Sequence, residues 1–244
     1  MLITSLENQK VKDLVRLQQK KYRDLTGTYL VEGEHLVEEA YQNHVLLEVF
    51  VLEGVTVSFD GNVTEVKEEV MKKISSLESP PSMVGVCRKQ ESHEIFGNHI
   101  LLLDGIQDPG NLGTMIRSSL AFDVSTIVLS PDCVDVYNPK VLRGTQGMIF
   151  AIPIVSMPLE KAISSLREKG IPIYGTSVEE GVDVSTLDTT EKEKYALVMG
   201  NEGRGISSEV FALCDKNLYI SMNSKVESLN VGVACSILLY ELGR

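Results

Sequence analysis

The sequence predicts an α/β protein of two domains, a small mixed front domain and a larger C-terminal domain on a mainly parallel sheet. Three observations predict it. Short strand-like runs alternate with helix-like stretches along the chain. From Asn98 onward the strand-like runs are continuously apolar, as strands buried on both faces are. Two glycine loops, Asp108-Pro-Gly-Asn-Leu-Gly113 and Gly200-Asn-Glu-Gly-Arg-Gly205, follow such runs, at the strand ends where open α/β sheets bind ligands.

The elements follow in order. From Glu7 to Tyr22, Val11, Leu14, Val15 and Tyr22 share one face and basic residues the other, which predicts one amphipathic helix. Thr28 to Val31 reads as a strand, and Glu32-Gly33 turns the chain into a helix over Glu34 to Gln42. Leu46 to Leu52 and Val63 to Val66 are strands, Glu68 to Ser75 a charged helix, and Met83 to Val86 a strand. The patternless polar stretch from Lys89 places a boundary near residues 90–97, giving expected domains 1–93 and 98–244. The second domain reads as strand Ile100 to Leu103, helix Leu112 to Phe122, strand Thr126 to Leu129, and a short helix Pro139 to Gly147 capped by Asn138. Strand Ile152 to Val155, helix Leu159 to Lys169, strands Ile171 to Tyr174 and Ala196 to Met199, helix Ser208 to Cys214, strand Leu218 to Ile220 and a last helix to Leu242 complete it.

A chain of 244 residues buries enough surface for this plan. It has no apolar run of bilayer length and no basic-then-apolar signal at Met1, so a cytoplasmic protein without a membrane partner is expected. Cys87, Cys133, Cys214 and Cys235 form no Cys-x-x-Cys pair, and all four histidines lie outside the loops. Reduced thiols, no metal and no histidine-based triad are expected. The net charge of −11 by itself argues against a nucleic-acid partner, but its distribution is uneven. Residues 1–25 carry six basic and three acidic side chains, a basic arm on an acidic body. Such a run is either a solvated helix face or a phosphate-binding surface.

Neither glycine loop has a dinucleotide or P-loop spacing. Each polar residue in or near them, and in Ser228-Leu-Asn-Val231 at the start of the last helix, has an ordinary reading alone. Asn111 caps the following helix, Arg117 makes a surface ion pair, Glu202 is a solvated carboxylate, Ser228 is an N-cap and Asn230 a first-turn residue. Taken together they put an amide, a guanidinium, a carboxylate, a hydroxyl and a second amide at one sheet edge, a converging set that marks a site.

Three segments carry a resemblance: Asn111-Leu-Gly-Thr-Met-Ile-Arg117, Leu197-Val-Met-Gly-Asn-Glu-Gly-Arg-Gly205, and Ile220 through Ser228-Leu-Asn-Val-Gly-Val-Ala234. They resemble the signature motifs of the SpoU (TrmH) RNA 2′-O-ribose methyltransferases, over about residues 98–244. The front part is similar to that family's RNA-binding domain through Lys10-Val-Lys12, Lys20-Lys21, Val31-Glu-Gly33 and Glu78-Ser-Pro80. The resemblance implies a C-terminal SPOUT domain, an α/β knot of deep trefoil type that holds S-adenosylmethionine, and a small N-terminal α/β RNA-binding domain. It implies a homodimer acting on RNA, ribosomal in preference to transfer RNA. Asn111, Arg117, Glu202, Ser228 and Asn230 would be catalytic, and Thr176, Gly200, Ile220, Met222 and Leu229 would hold the methyl donor. Lys10, Lys12, Lys20, Lys21, Lys140, Arg143 and Gln146 would contact RNA. Two departures stand out. Asp123 occupies a position where glycine is expected, and Ser221, Asn223 and Ser224 replace the usual Pro and Gly before Ser228. The altered donor loop leaves open a non-catalytic RNA-binding or ribosome-assembly factor on the same fold. A nucleotide-dependent small-molecule enzyme is a third reading, resting only on an acidic α/β chain with glycine loops.

Overall fold

The alternating runs fold into two units, each with its own sheet and core. The computed structural model describes residues 2–90, 92–178 and 181–244. In chain order the elements are β1 (Leu2–Ile3), α1 (Gln9–Arg16), α2 (Lys20–Thr26), β2 (Thr28–Glu32), α3 (Glu34–Gln42), β3 (Leu46–Leu52), β4 (Val63–Val66), α4 (Glu68–Ile74) and β5 (Met83–Arg88). They continue as β6 (His99–Leu103), α5 (Pro109–Ala121), β7 (Thr126–Leu129), α6 (Pro139–Thr145), β8 (Ile154–Ser156), α7 (Leu159–Glu168) and β9 (Ile173–Thr176). The last are β10 (Val182–Asp183), α8 (Thr189–Lys192), β11 (Tyr195–Met199), α9 (Ser208–Phe211), β12 (Lys216–Tyr219) and α10 (Val231–Leu242). One unit comprises Met1–Gln90 with Asp135–Ala151; the other comprises Glu91–Val134 with Ile152–Arg244.

The first unit is a five-stranded mixed sheet in the order β1-β4-β3-β5-β2. Val11, Leu14 and Leu17 join Val70, Met71 and Ile74 of α4 over Phe50, Val66 and Val84 of the sheet. The single helix expected from Glu7 to Tyr22 is two. Gln19 is extended (φ −102°, ψ 133°), and the chain restarts as α2. The break leaves the carbonyls of Leu17 and Gln18 without helical partners, and the Arg23 guanidinium donates to both, at 2.8 and 2.9 Å. Arg23 Nε also donates to Asp135 Oδ2, at 3.2 Å. An arginine counted in the basic arm is therefore a buried structural residue, 4% exposed.

Asp135 belongs to the segment by which this unit departs from the expected division at residues 93–98. Within the unit, Tyr137 packs its ring on Tyr29 with centroids 4.4 Å apart. Arg143 Nη1 donates to Ser76 Oγ at 2.9 Å and lies 3.4 Å from the buried Glu32 carboxylate. Helix α6 starts as the sequence predicts, with Asn138 accepting from the Lys140 N–H and Pro139 in the first turn.

The second unit is a seven-stranded sheet in the order β10-β12-β9-β11-β6-β7-β8. All its described pairings are parallel, as the unbroken apolar runs predict. Strands β8 and β9 begin two residues later than expected, because Pro153 and Pro172 have no N–H for the ladder. Their carbonyls still accept, from Ile127 and Ala196. The two-residue strands β1 and β10 are too short to show a period. The pairing that matters for function is β6 with β11, where Leu103 lies opposite Met199. The two strands end at the same level, so their two glycine loops emerge side by side.

One departure from the family pattern has a backbone explanation. Asp123, just past the end of α5, has φ 57°, in the left-handed region that favours glycine. Aspartate is among the side chains that tolerate it best. We expect Asp123→Gly to raise stability by about 0.5–1 kcal/mol, measured as a higher urea midpoint at unchanged slope.

Candidate active site

The site is built on the three loops at the carboxyl end of the second unit's sheet. The loop after β11 is a tight hairpin. Asn201 and Gly205 exchange both backbone hydrogen bonds at 2.9 Å, and Asn201 Oδ1 accepts from the N–H groups of Gly203 and Arg204 at 3.0 and 3.1 Å. Asn201 Nδ2 donates to the Gly105 carbonyl at 2.7 Å, tying the hairpin to the loop after β6. Asp104 Oδ2 accepts from the Ser207 N–H at 2.7 Å and ties its far end. The glycines have separate reasons. Gly205 has φ 71°, while a Cβ on Gly200 would lie 2.2 Å from the backbone of Gly205 and Ile206. Gly200→Ala must open the hairpin, and we expect at least a tenfold loss of donor affinity in calorimetric titration.

At the hairpin tip, Glu202 is held by three donors. Oε1 accepts from the Asp108 N–H at 3.0 Å and from Asn111 Nδ2 at 3.1 Å; Oε2 accepts from the Gln107 N–H at 3.2 Å. Partial burial by itself raises this carboxyl, but the Asp108 N–H, the Asn111 amide and the Gln107 N–H outweigh it. The carboxyl lies below the usual carboxylate range and is ionised at neutral pH.

A carboxylate only accepts, so the Asn111 amide must face Glu202 with its NH2 and turn its carbonyl the other way. That carbonyl accepts from Asn230 Nδ2 at 2.9 Å. Asn230 in turn presents Oδ1 to the Gly232 and Val233 N–H groups, at 3.0 and 3.2 Å, and so caps α10. The chain from Glu202 through Asn111 to Asn230 has one consistent orientation of every amide.

Two cap assignments from the sequence are corrected by this geometry. Helix α5 starts three residues earlier than expected and is capped by Asp108, whose Oδ1 accepts from the Asn111 N–H at 2.8 Å. Asn111 is thereby freed to act through its side chain. Asn230, not Ser228, caps α10. The Asp108-Pro109 pair was the visible signal for the true start of α5, since Pro is favoured in a helix's first turn.

Beside this chain lies a cleft of about 720 Å³. All five residues expected to hold the donor, Thr176, Gly200, Ile220, Met222 and Leu229, line it, together with Glu202, Ser228 and Asn230. Its volume falls in the range of small-molecule sites, and its floor mixes backbone edges with apolar Met199, Leu218 and Leu238. S-adenosylmethionine fits this lining: apolar side chains suit a flat base, and the backbone edges and polar side chains offer partners to its polar groups. Ser228 and Arg117 stand apart from the hydrogen-bonded chain. Ser228 lines the cleft without a side-chain partner among the described residues. Arg117, six residues after Asn111, leaves α5 in a different direction and is exposed, also without one.

Residues 98–240 match the SpoU rRNA Methylase family. The chain belongs to this family. Residues 8–85 match the MRM3-like substrate binding domain. Among SpoU relatives, the 23S rRNA (guanosine(2553)-2′-O)-methyltransferase RlmP of Bacillus subtilis is 37% identical, covering 98% of this chain and 98% of its own. A 23S rRNA (guanosine-2′-O-)-methyltransferase RlmB of Coxiella burnetii is 34% identical over 67% of this chain and 63% of its own. The AdoMet-bound rRNA methyltransferase of Sinorhizobium meliloti is 33% identical with a TM-score of 0.87, covering 99% of this chain and 97% of that one. The fold is thus a SpoU-type methylase domain preceded by a substrate-binding domain.

The residues expected to meet RNA have mixed settings in this SpoU chain. In the first unit Lys10 pairs with Glu48, Lys12 with Glu7 at 2.6 Å and Lys20 with Asp24 at 2.7 Å. Surface pairs of this kind are worth about 0–1 kcal/mol, so a phosphate can displace them. Lys21 and Lys140 are exposed and have no acidic partner among the described residues. Arg143 is engaged by Glu32 and Ser76, as described, and Gln146 closes α6 at φ 51° with Nε2 on the Arg143 carbonyl, 2.9 Å away.

Proposed function

We propose that this protein methylates a ribose 2′-hydroxyl of 23S ribosomal RNA, with S-adenosylmethionine as donor, as a cytoplasmic homodimer. The observation that carries this reading is the chain Glu202–Asn111–Asn230 at the edge of a cleft lined by all five expected donor residues. Two SpoU relatives named for 23S rRNA methylation support the substrate, and exposed Val233 and Tyr240 on α10 support a self-contact. When bound, S-adenosylmethionine supplies an electrophilic methyl carbon on a sulfonium centre. The protein's own residues must place the ribose oxygen in line with that carbon and favour loss of its proton.

Glu202 is held by three donors in its charged form, so it serves as an anchor and not as a base. It fixes Asn111, which fixes Asn230, and the start of α10 is set with it. Ser228, its hydroxyl uncommitted at the cleft wall, is placed to accept or donate to the ribose. Arg117, exposed and unpaired among the described residues, grips the phosphate beside the target ribose and stabilises negative charge developing on the 2′-oxygen, so that the proton leaves to water. Lysine has neither the planar fork nor the reach, and we expect Arg117→Lys to lose most of its turnover.

The non-catalytic reading rested on the altered donor loop. In the structure Asn223 forms a turn there, its Oδ1 accepting from the Lys225 N–H at 3.0 Å, and Met222 still lines the cleft. Transfer of labelled methyl from S-adenosylmethionine to unmodified 23S rRNA, with mapping of the 2′-O-methylated nucleotide, tests the proposal. One mapped position, lost in Asn111→Ala, is the expected result. No transfer and no donor binding would overturn it.

A further inference from the structure

The chain has eight arginines, and six of them have an oxygen partner within 4 Å. Two have none among the described residues: Arg117 and Arg204. In a chain with 34 acidic side chains against 23 basic ones, an exposed guanidinium without an acceptor is the exception. Arg117 already has a role. Arg204 does not.

Arg204 lies two residues from Glu202 on the hairpin after β11, is exposed, and lines the cleft. Its backbone is among the most restrained in the site. Its N–H donates to Asn201 Oδ1 at 3.1 Å, and the hairpin is closed on both sides by Asn201 and Gly205 and held at its tip through Glu202. The side chain therefore projects from a fixed point, so binding adds the ordering cost of its own rotamers but none for the backbone.

Two anions can approach it, the carboxylate of the donor and a phosphate of the RNA. Charge decides between them. S-adenosylmethionine carries one carboxylate against an ammonium and a sulfonium, a net positive charge that an added guanidinium disfavours. RNA is a polyanion facing a chain of net charge −11, where an unpaired planar cation relieves repulsion and matches a phosphate with two N–H groups. We propose that Arg204 is a second RNA-backbone contact, gripping a phosphate at the rim of the donor cleft. The inference rests on the RNA ribose methylation reading.

The test measures binding of an unmodified 23S rRNA transcript and of S-adenosylmethionine separately, for the full-length wild type, Arg204→Ala and Arg204→Lys. Expected for Arg204→Ala are an RNA affinity about tenfold weaker, a log-affinity against log-salt slope shallower by roughly 0.7–0.9, and a donor affinity within about twofold of wild type. Arg204→Lys should recover the salt slope but only part of the affinity. With saturating S-adenosylmethionine and varied transcript, Arg204→Ala should show its defect in KM for RNA and little in kcat. A donor affinity tenfold weaker with RNA binding intact would overturn the proposal in favour of the donor carboxylate. Unchanged RNA affinity and salt slope would overturn it outright. A wild type that binds the transcript but transfers no methyl sinks the methylation reading alone, since the RNA-affinity comparison still decides Arg204. A wild type that binds no RNA sinks both.

Discussion

Glu202→Gln should lower the rate of methyl transfer by about two orders of magnitude, the penalty usual for displacing reacting groups by about 1 Å. The substitution changes little volume but gives one of the two acceptor oxygens an NH2. Either the Asp108 N–H and Asn111 amide at Oε1, or the Gln107 N–H at Oε2, then faces another donor. With the NH2 at the Oε1 position Asn111 loses its fixed orientation, and Asn230 with it; with the NH2 at the Oε2 position repulsion from the Gln107 N–H displaces the hairpin tip, and Asn111 moves with the Oε1 contact. The expected signature is a fall in kcat at saturating S-adenosylmethionine and RNA, with the fold intact by circular dichroism. A variant within twofold of wild type would remove Glu202 as the anchor. The pH behaviour follows from the same contacts. Because the folded carboxyl lies below its ordinary value, its contribution to stability is fully present above the ordinary carboxylate range and is lost as pH falls through the lowered value. Between pH 6 and 9 this group should not titrate, and any slope in the rate there belongs to another group.

The largest stability effect is expected at Asp135. Asp135→Ala strands the Arg23 guanidinium, whose side chain is 4% exposed against 13% for Asp135. Breaking a buried pair from one side costs about 3–5 kcal/mol. The Leu17 and Gln18 carbonyls still accept from Arg23, which places the expectation at the lower end of that range. Urea unfolding of the full chain, read alongside hydrogen exchange of α1, α2 and β2, measures it. The double variant Arg23→Met with Asp135→Leu should recover only part of the loss, because it removes both charges but leaves the Leu17 and Gln18 carbonyls without the Arg23 donor. A single-variant loss under 1 kcal/mol would mean the pair is solvated in practice. The same contact predicts that residues 1–93 alone make a poor fragment. They lack both Asp135 for Arg23 and Arg143 for the buried Glu32.

Much of the fold was legible. Helix α3 and strands β3, β4 and β7 have the predicted bounds, and the continuous apolar runs gave a parallel sheet. These follow from local period and from burial on both faces, which a linear sequence records directly. The break between α1 and α2 was not legible, because it depends on a guanidinium six residues on and a carboxylate 112 residues away. The membership of Asp135–Ala151 in the first unit was hidden for the same reason. Its charges find partners that are near only after folding.

The five candidates stood out as a converging polar set, their catalytic role was implied by the family resemblance, and three of them form one hydrogen-bonded chain. The backbone donors of Gln107 and Asp108 and the clasp made by Asn201 carry no chemical signature in a sequence. Their role depends on β6 and β11 ending at one level. By itself the sequence determined the period of each element, the burial of each strand and the chemical groups brought to the loops, since these are properties of neighbours along the chain. Tertiary structure alone decided which donor faces which acceptor, which arginines are buried and which are left unpaired. Hydrogen bonds and ion pairs are settled over about 3 Å in space, and that distance is fixed only once distant segments have packed.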